Sequence, residues 1–136
     1  VHTHSRYATS FAQAAREIPV LGTTHADYFH GPIPVTRELI AEEVAGDYEL
    51  ETGRVIVERF SGLDPLTVSA VLVRNHGPFA WGVSGPKALE TAQALEIVAH
   101  MAWQTLALSP AAVSLSHALR DKHFFRKHGS TAYYGQ

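Results

Sequence analysis

The sequence predicts a layered α/β domain built around a mixed or antiparallel sheet. The chain has 136 residues, 46% of them hydrophobic, which is enough for one domain with a core. Stretches with helical spacing and short apolar stretches both occur, but they do not follow a regular strand–helix–strand alternation. Because no internal repeat or low-complexity tract interrupts the chain, we expect a single domain over residues 1–136.

The first quarter of the chain predicts a strand end, a helix, a short strand and a loop. Residues 1–5 alternate like the end of a strand, and residues 7–18 have helical spacing that Pro19 terminates. A short strand is expected over residues 20–22, and the polar segment 23–34 is expected to be a loop.

The next segments predict a second helix and a half-buried strand. Thr36 is placed to cap a helix that extends to about Val44. Residues 54–60 alternate between apolar and polar side chains, with Val55 and Val57 on the same face of the expected strand.

A buried strand and two helices are predicted for the remainder. Residues 68–74 are almost continuously apolar, and an extended run resumes at residues 79–82 after a turn. Ser84 and Pro86 are typical of the start of a helix. The buried stripe of that helix is expected to consist of Leu89, Ala92, Leu95, Ala99, Ala102 and Leu106. A final helix is predicted over residues 116–128.

Charge and composition exclude several classes of protein. The net charge of −2 gives no reason to expect a nucleic-acid or anionic-membrane partner. The lack of cysteine excludes disulfides and thiolate metal sites. No apolar run is long enough to cross a bilayer, so we expect a cytoplasmic protein. The nine histidines are unusual for this length, and histidine is the commonest metal ligand in proteins.

Three of these histidines form a candidate metal site. His2 and His4 are two residues apart on a predicted strand, so both imidazoles leave the same face. His76 follows a buried strand at a Gly-Pro turn, which can present its side chain to a pocket. Three histidines with a fourth position open suit a catalytic zinc ion. The pattern alone also fits polar residues on a solvated face, or the metal sites of cupins and amidohydrolases.

Other polar residues are candidates for proton transfer or binding. Asp27 lies in a polar segment and is either a general acid or base, or an aspartate that stabilises a turn through its own backbone. Tyr133 and Tyr134 lie in a tail that would fray unless it docks, so we expect it to dock, with another subunit as one candidate surface. The basic residues of the last helix fit either a solvated face or a phosphate site: Arg120, Lys122, Arg126 and Lys127.

Five segments together resemble one protein family. They are VHTHS at 1–5, GTTHADYF at 22–29, AEE at 41–43, NHGPFAWG at 75–82 and KHGSTAYYGQ at 127–136. In this order they are similar to the class II aldolase/adducin superfamily, and in particular to its L-ribulose-5-phosphate 4-epimerase branch. The His-x-His and His-Gly segments are shared across the superfamily, whereas the GTTHADYF segment and the YYGQ ending are more particular to the epimerases.

The resemblance implies a role for individual residues. His2, His4 and His76 match the family's zinc ligands, with manganese as the alternative ion. Asp27 matches one catalytic acid/base and Tyr134 matches the other, which the family contributes from a neighbouring subunit.

The resemblance also implies substrate contacts, a fold and an assembly. His123 and Arg126 lie where the family has residues near the substrate. The implied fold is a three-layer α/β/α sandwich with a central, mostly antiparallel sheet, and the implied assembly is a homotetramer with active sites between subunits. The implied reaction is C4 epimerisation of a pentulose 5-phosphate, as in L-arabinose catabolism. A class II sugar-phosphate aldolase similar to L-fuculose-phosphate aldolase and a non-catalytic adducin-like binding head are the alternatives.

The first residues lie within an alternating segment, so we expect the chain to be the C-terminal part of a single class II aldolase-like domain. The family's phosphate-binding loops and an acidic residue beside the metal belong to the preceding part. We therefore expect the 136-residue chain alone to be inactive and to bind metal weakly.

Overall fold

The computed structural model describes residues 1–130 and 132–135, which form six helices and one two-stranded antiparallel sheet. Thr131 and Gln136, two positions of the C-terminal motif, lie outside the described residues. In chain order the elements are α1 (Arg6–Gln13), α2 (Thr23–Ala26), α3 (Ala41–Ala45), α4 (Tyr48–Arg59), β1 (Ala70–Val73), β2 (Gly77–Ala80), α5 (Gly85–Leu108) and α6 (His117–His128). The predicted α/β class with antiparallel pairing is confirmed.

The sheet is centred on the β1–β2 hairpin and extended by single-residue bridges. Ala70 pairs with Ala80 and Val73 with Gly77, and the turn between them contains Asn75 at φ 61°. His2 bridges antiparallel to Phe79, so the first residues run along the free edge of β2. This pairing agrees with the strand end predicted for residues 1–5.

A parallel bridge joins Val35 to Leu72 on the other edge of the hairpin, and Ile18 bridges to Ile33 nearby. Thr36 is buried here instead of capping a helix, so that prediction is wrong. Its hydroxyl donates to the Arg37 carbonyl and accepts from the Arg74 N–H, which ties the chain to the end of β1.

The long helix α5 covers the hairpin and α1. Ser84 accepts a hydrogen bond from the Lys87 N–H and Pro86 lies in the first turn, as predicted. Of the predicted stripe, Leu95, Ala99 and Ala102 are buried and Ala92 and Leu106 pack partly buried against the core, whereas Leu89 is 53% exposed. The buried residues of α5 are Ala88, Thr91, Ala94, Leu95, Val98, Ala99 and Ala102. In the part of the chain that the structure describes, no helix is both long and apolar enough to span a membrane.

Residues 54–60 lie almost entirely within helix α4, so the predicted strand is wrong. Asp47 caps this helix by accepting from the Leu50 N–H. Thr52 and Val55 are three residues apart and form its buried side, whereas Val57 is 74% exposed. Short apolar–polar alternation does not distinguish a strand from a helix that packs through one narrow face.

The predictions for residues 7–34 also need correction. Helix α1 ends at Gln13, and Ala15 has φ 51°, a left-handed conformation that interrupts any continuation to residue 18. No strand is assigned at residues 20–22, and α2 forms the start of the segment expected to be a loop. Asp27 directly follows α2 as its C-cap residue.

Candidate metal centre and proton-transfer residues

Two neighbouring segments of backbone bring three histidines together. His2 and His4 lie on the first residues along β2, and His76 lies in the turn between β1 and β2. One potential ligand atom from each imidazole lies within 4.8 Å of those of the other two. The ring centroids are 4.6 Å apart for His2 and His76, 5.0 Å for His2 and His4, and 5.1 Å for His4 and His76. The structure thus brings together the three predicted ligands.

Gly77 makes this approach possible. A Cβ atom at this position would lie 2.8 Å from the Thr3 carbonyl oxygen and 3.3 Å from Cδ2 of His4. Because the first of these distances is shorter than van der Waals contact, any side chain here would push the first residues away from the hairpin. The glycine that follows His76 therefore sets the spacing of the histidine cluster.

Hydrogen bonds orient two of the three imidazoles. His2 Nδ1 is 3.0 Å from the Pro78 carbonyl oxygen, to which it can donate, and its ring stacks on Phe79 at 4.2 Å. His76 Nδ1 is 3.3 Å from the Tyr48 hydroxyl. Burial lowers the pKa of His76 below its ordinary value, and the neighbouring His2 and His4 lower it further. These surroundings favour the neutral imidazole, which is the form that binds a cation.

The donor set fits a divalent metal ion. Zinc accepts imidazole nitrogens at about 2.0–2.1 Å, which places the nitrogens of a tetrahedral site about 3.3 Å apart. Small side-chain rotations would bring His2, His4 and His76 from their present spacing to that value. In residues 1–130 and 132–135 this is the one group of three potential ligands close enough to share an ion.

Asp27 is held by a second cluster, formed with α6. Its Oδ1 accepts from His123 Nδ1 at 3.0 Å and from Arg126 Nη2 at 3.0 Å. Its backbone carbonyl accepts from His128 Nε2 at 2.7 Å. Asp27 therefore does not have the purely local turn role that was the alternative, because its carboxylate partners lie 96 and 99 residues away.

Tyr134 is joined to the same cluster within one chain. Its backbone N–H donates to the Arg126 carbonyl at 3.1 Å. The Arg126 guanidinium carbon lies 4.1 Å from the centroid of the Tyr134 ring. Arg126 thus contacts both residues expected to transfer protons, and the aromatic tail packs against the helix that precedes it.

The basic residues of α6 are paired rather than simply solvated. Arg120 donates to Asp121 at 2.8 Å, and Arg126 pairs with Asp27. Lys122 Nζ lies 5.5 Å from the Tyr133 ring centroid, and Lys127 Nζ lies 3.9 Å from that of Tyr28.

The sequence analysis assigned no role to three residues that make contacts in or next to these clusters. Tyr48 contacts His76, and His128 contacts the backbone of Asp27. Glu96 accepts from the Tyr7 and Ala8 N–H groups at 2.9 and 3.0 Å, at the start of the helix that follows His4. Each contact joins residues 28 to 101 positions apart, so no local spacing could reveal it.

Comparison with known proteins identifies similar sequences. Residues 1–103 match the family model described as class II aldolase and adducin N-terminal domain. The chain is 53% identical over all its 136 residues to L-ribulose-5-phosphate 4-epimerase UlaF of Salmonella paratyphi B, and 52% identical to the protein of that name from Salmonella paratyphi A. It spans 60% of the length of these relatives.

A solved structure has a similar fold. L-fuculose 1-phosphate aldolase superposes with a TM-score of 0.66 and 19% sequence identity, over 90% of this chain and 51% of the aldolase. At this identity the similarity concerns the fold alone, and it agrees with the predicted class II aldolase-like architecture.

Proposed function

The chain belongs to the class II aldolase and adducin family, and from this premise we propose that the whole protein is an L-ribulose-5-phosphate 4-epimerase. It would interconvert L-ribulose 5-phosphate and D-xylulose 5-phosphate. The observation that carries the proposal is the convergence of His2, His4 and His76 in a chain 53% identical to a relative of that name. Since the chain covers 60% of that relative, the activity is proposed for the whole protein.

The reaction requires more than removal of a proton. The two sugars differ at C4, whereas the ketone is at C2, so the hydrogen on C4 is not acidified by the carbonyl. Cleavage of the C3–C4 bond solves this problem, because the electron pair left on C3 delocalises toward C2 as an enediolate. The other product, glycolaldehyde phosphate, can rotate and present its opposite face. Re-formation of the bond then gives the inverted centre.

The three histidines would hold the metal ion that this chemistry needs. A divalent ion, for which we propose zinc with manganese as the alternative, supplies Lewis-acid stabilisation of the negative charge. His2, His4 and His76 would hold the ion, and hydrogen bonds already orient His2 and His76.

Asp27 and Tyr134 are proposed to transfer the protons. The C4 hydroxyl loses a proton as the bond breaks, and a proton returns to the oxygen on the opposite face after rotation. Two groups are needed, one for each face. His123 and Arg126 hold the Asp27 carboxylate by hydrogen bonds, and Arg126 also lies over the Tyr134 ring. His123 and Arg126 are proposed to approach the substrate in the same place.

The resemblance supports further proposals about the whole protein. We propose a homotetramer with active sites between subunits, a sugar-phosphate substrate, a cytoplasmic location and a role in L-arabinose catabolism. Exposed apolar residues on α5 favour contact with another subunit: Ile97, Met101 and Trp103 are each about half exposed.

The product distribution tests this function. The purified whole protein, given L-ribulose 5-phosphate, should form D-xylulose 5-phosphate without accumulating glycolaldehyde phosphate and dihydroxyacetone. Stoichiometric zinc should be found by elemental analysis, and His76→Ala should lose both metal and activity, whereas the exposed His117→Ala should lose neither. Accumulation of the two fragments would indicate an aldolase. Neither product nor metal would indicate a binding protein of the adducin type.

A further inference from the structure

Tyr48 contacts the histidine cluster from a separate element. It is the first residue of α4, and its hydroxyl oxygen lies 3.3 Å from Nδ1 of His76. The centroids of the two rings are 6.1 Å apart. The Tyr48 side chain thus reaches the edge of the His76 ring.

The hydrogen bond determines which nitrogen of His76 can bind a cation. A neutral imidazole has a proton on one nitrogen and a lone pair on the other. When Nδ1–H donates to the Tyr48 oxygen, the lone pair is on Nε2. His2 has the same arrangement, because its Nδ1 lies 3.0 Å from the Pro78 carbonyl oxygen. The carbonyl oxygen can only accept, so His2 must donate through Nδ1, and His76 has the same tautomer when the Tyr48 hydroxyl is the acceptor.

The segment that carries Tyr48 is fixed independently of the metal site. Asp47 caps the first turn of α4, and Thr52 donates to the Tyr48 carbonyl at 2.8 Å. On the side of the turn, Asn75 donates to Glu38 at 2.9 Å, and Arg74 pairs with Glu38 at 3.4 Å.

Through Glu38, the segment just before α3 is joined to the turn that carries His76. Arg37, next to Glu38, pairs with both Glu43 of α3 and Glu58 of α4. These contacts hold Tyr48 and His76 in a defined relation without a bound ion.

We propose that Tyr48 is a positioning residue for the metal centre: its hydroxyl accepts the Nδ1 proton of His76 and so presents Nε2 to the ion. This inference rests on the metal centre of the proposed function and assigns Tyr48 a role that neither the sequence motifs nor the comparisons indicate. Hydrogen-bond partners of this kind orient metal-binding imidazoles and fix their tautomer.

The test compares Tyr48→Phe with wild type in the whole protein. The substitution removes the hydroxyl and keeps the ring, so zinc affinity measured by chelator competition should fall about 10- to 100-fold. Tyr7→Phe is the matched control, because Tyr7 stacks on His100 at 3.8 Å and does not contact the cluster. Its zinc affinity should equal that of wild type. Circular dichroism and thermal unfolding of all three proteins should agree.

A second measurement reads the tautomer directly in metal-free protein. Long-range ¹H–¹⁵N spectra of labelled imidazoles should show His76 protonated on Nδ1 in wild type and shifted toward the Nε2–H form in Tyr48→Phe. An Nε2–H form in wild type, or zinc affinity within twofold of wild type in Tyr48→Phe, would overturn the role of Tyr48. If wild type binds no zinc but His76 shows the Tyr48-dependent tautomer, the metal centre is wrong and the hydrogen bond is correct; Tyr48 then has no role toward a metal.

Discussion

At the scale of single residues, His25 is buried two positions before Asp27. Its Nε2–H donates to the Gly31 carbonyl at 2.9 Å. Burial lowers the pKa of His25 to about 4, although the hydrogen bond to Gly31 acts in the opposite direction. His25 is therefore neutral in the folded protein at neutral pH, and its ring is a buried, uncharged side chain of α2.

This burial predicts a loss of stability in mild acid. Below the ordinary pKa of 6.5, His25 binds a proton in the unfolded chain but not in the folded one, so protons favour unfolding. The free energy of unfolding should fall as the pH drops from about 6.5 to about 4, and by up to about 3 kcal/mol from this residue. Urea unfolding at a series of pH values measures the effect.

His25→Gln is the control for that measurement, because a glutamine amide can still donate to Gly31 but does not titrate. As the pH falls from 6.5 to about 4, the free energy of unfolding of wild type should decrease more than that of His25→Gln. Parallel stability curves for the two proteins would show that His25 makes no such contribution.

At the scale of elements, helix α1 depends on a residue from α5. Ser5 makes no side-chain cap at the start of α1. The Glu96 carboxylate instead accepts from both Tyr7 and Ala8 N–H groups. A negative charge at a helix N-terminus is also favourable to the helix dipole. The helix that follows His4 is therefore capped by a side chain about 90 residues later in the chain.

Glu96→Ala should destabilise the protein by about 1–2 kcal/mol, since two backbone donors lose their acceptors. Glu90→Ala is the matched control on the same helix, because Glu90 pairs with Lys87 on a half-exposed surface. It should change the free energy of unfolding by less than about 0.5 kcal/mol. Equal effects of the two substitutions in urea unfolding would contradict the capping role.

The sequence predicts elements best where a local signal marks at least one end. Helix α5 has Ser84 and Pro86 at its start, and α6 has Ser116 and Gly129 at its ends, and both agree with the structure. Helix α4 was missed because its buried side consists of little more than Thr52 and Val55, too narrow to show a helical period.

Within the candidate site, too, contacts with a local sequence signal could be predicted and the others could not. The histidine cluster could be predicted because His2 and His4 share a face by strand geometry and His76 lies in the turn after a buried strand. The contacts of Asp27 with His123 and Arg126 could not, because α2 and α6 are adjacent only in three dimensions. The roles of all these residues stay predictions.

At the scale of the whole molecule, the contacts of Arg126 indicate how subunits would share an active site. Asp27, Arg126 and Tyr134 of one chain are joined, so both residues proposed to transfer protons should enter the same active site together. In the proposed tetramer we expect that site to contain the histidines of a neighbouring subunit.

Mixed oligomers test this arrangement. Tyr134→Phe and Asp27→Asn should each lower the rate by roughly 10²-fold or more, and His76→Ala should be inactive. Subunit exchange between His76→Ala and Tyr134→Phe should restore roughly a quarter of the sites. Exchange between Asp27→Asn and Tyr134→Phe should restore none. Recovery in the second mixture, after verified exchange, would place the two residues in one active site from different chains.

The three histidines and the proposed proton-transfer residues are carried by different parts of the backbone. The histidines belong to the first residues and the β1–β2 hairpin, whereas Asp27 follows α2 and Tyr134 lies in the tail after α6. Mutation can therefore alter one set while the other keeps its geometry. Under the proposed function, a variant that retained the hairpin but replaced Asp27 would keep the three candidate metal ligands and lose one of the two proposed proton-transfer groups. Such a division would allow the proton-transfer step to change while the metal ligands are retained.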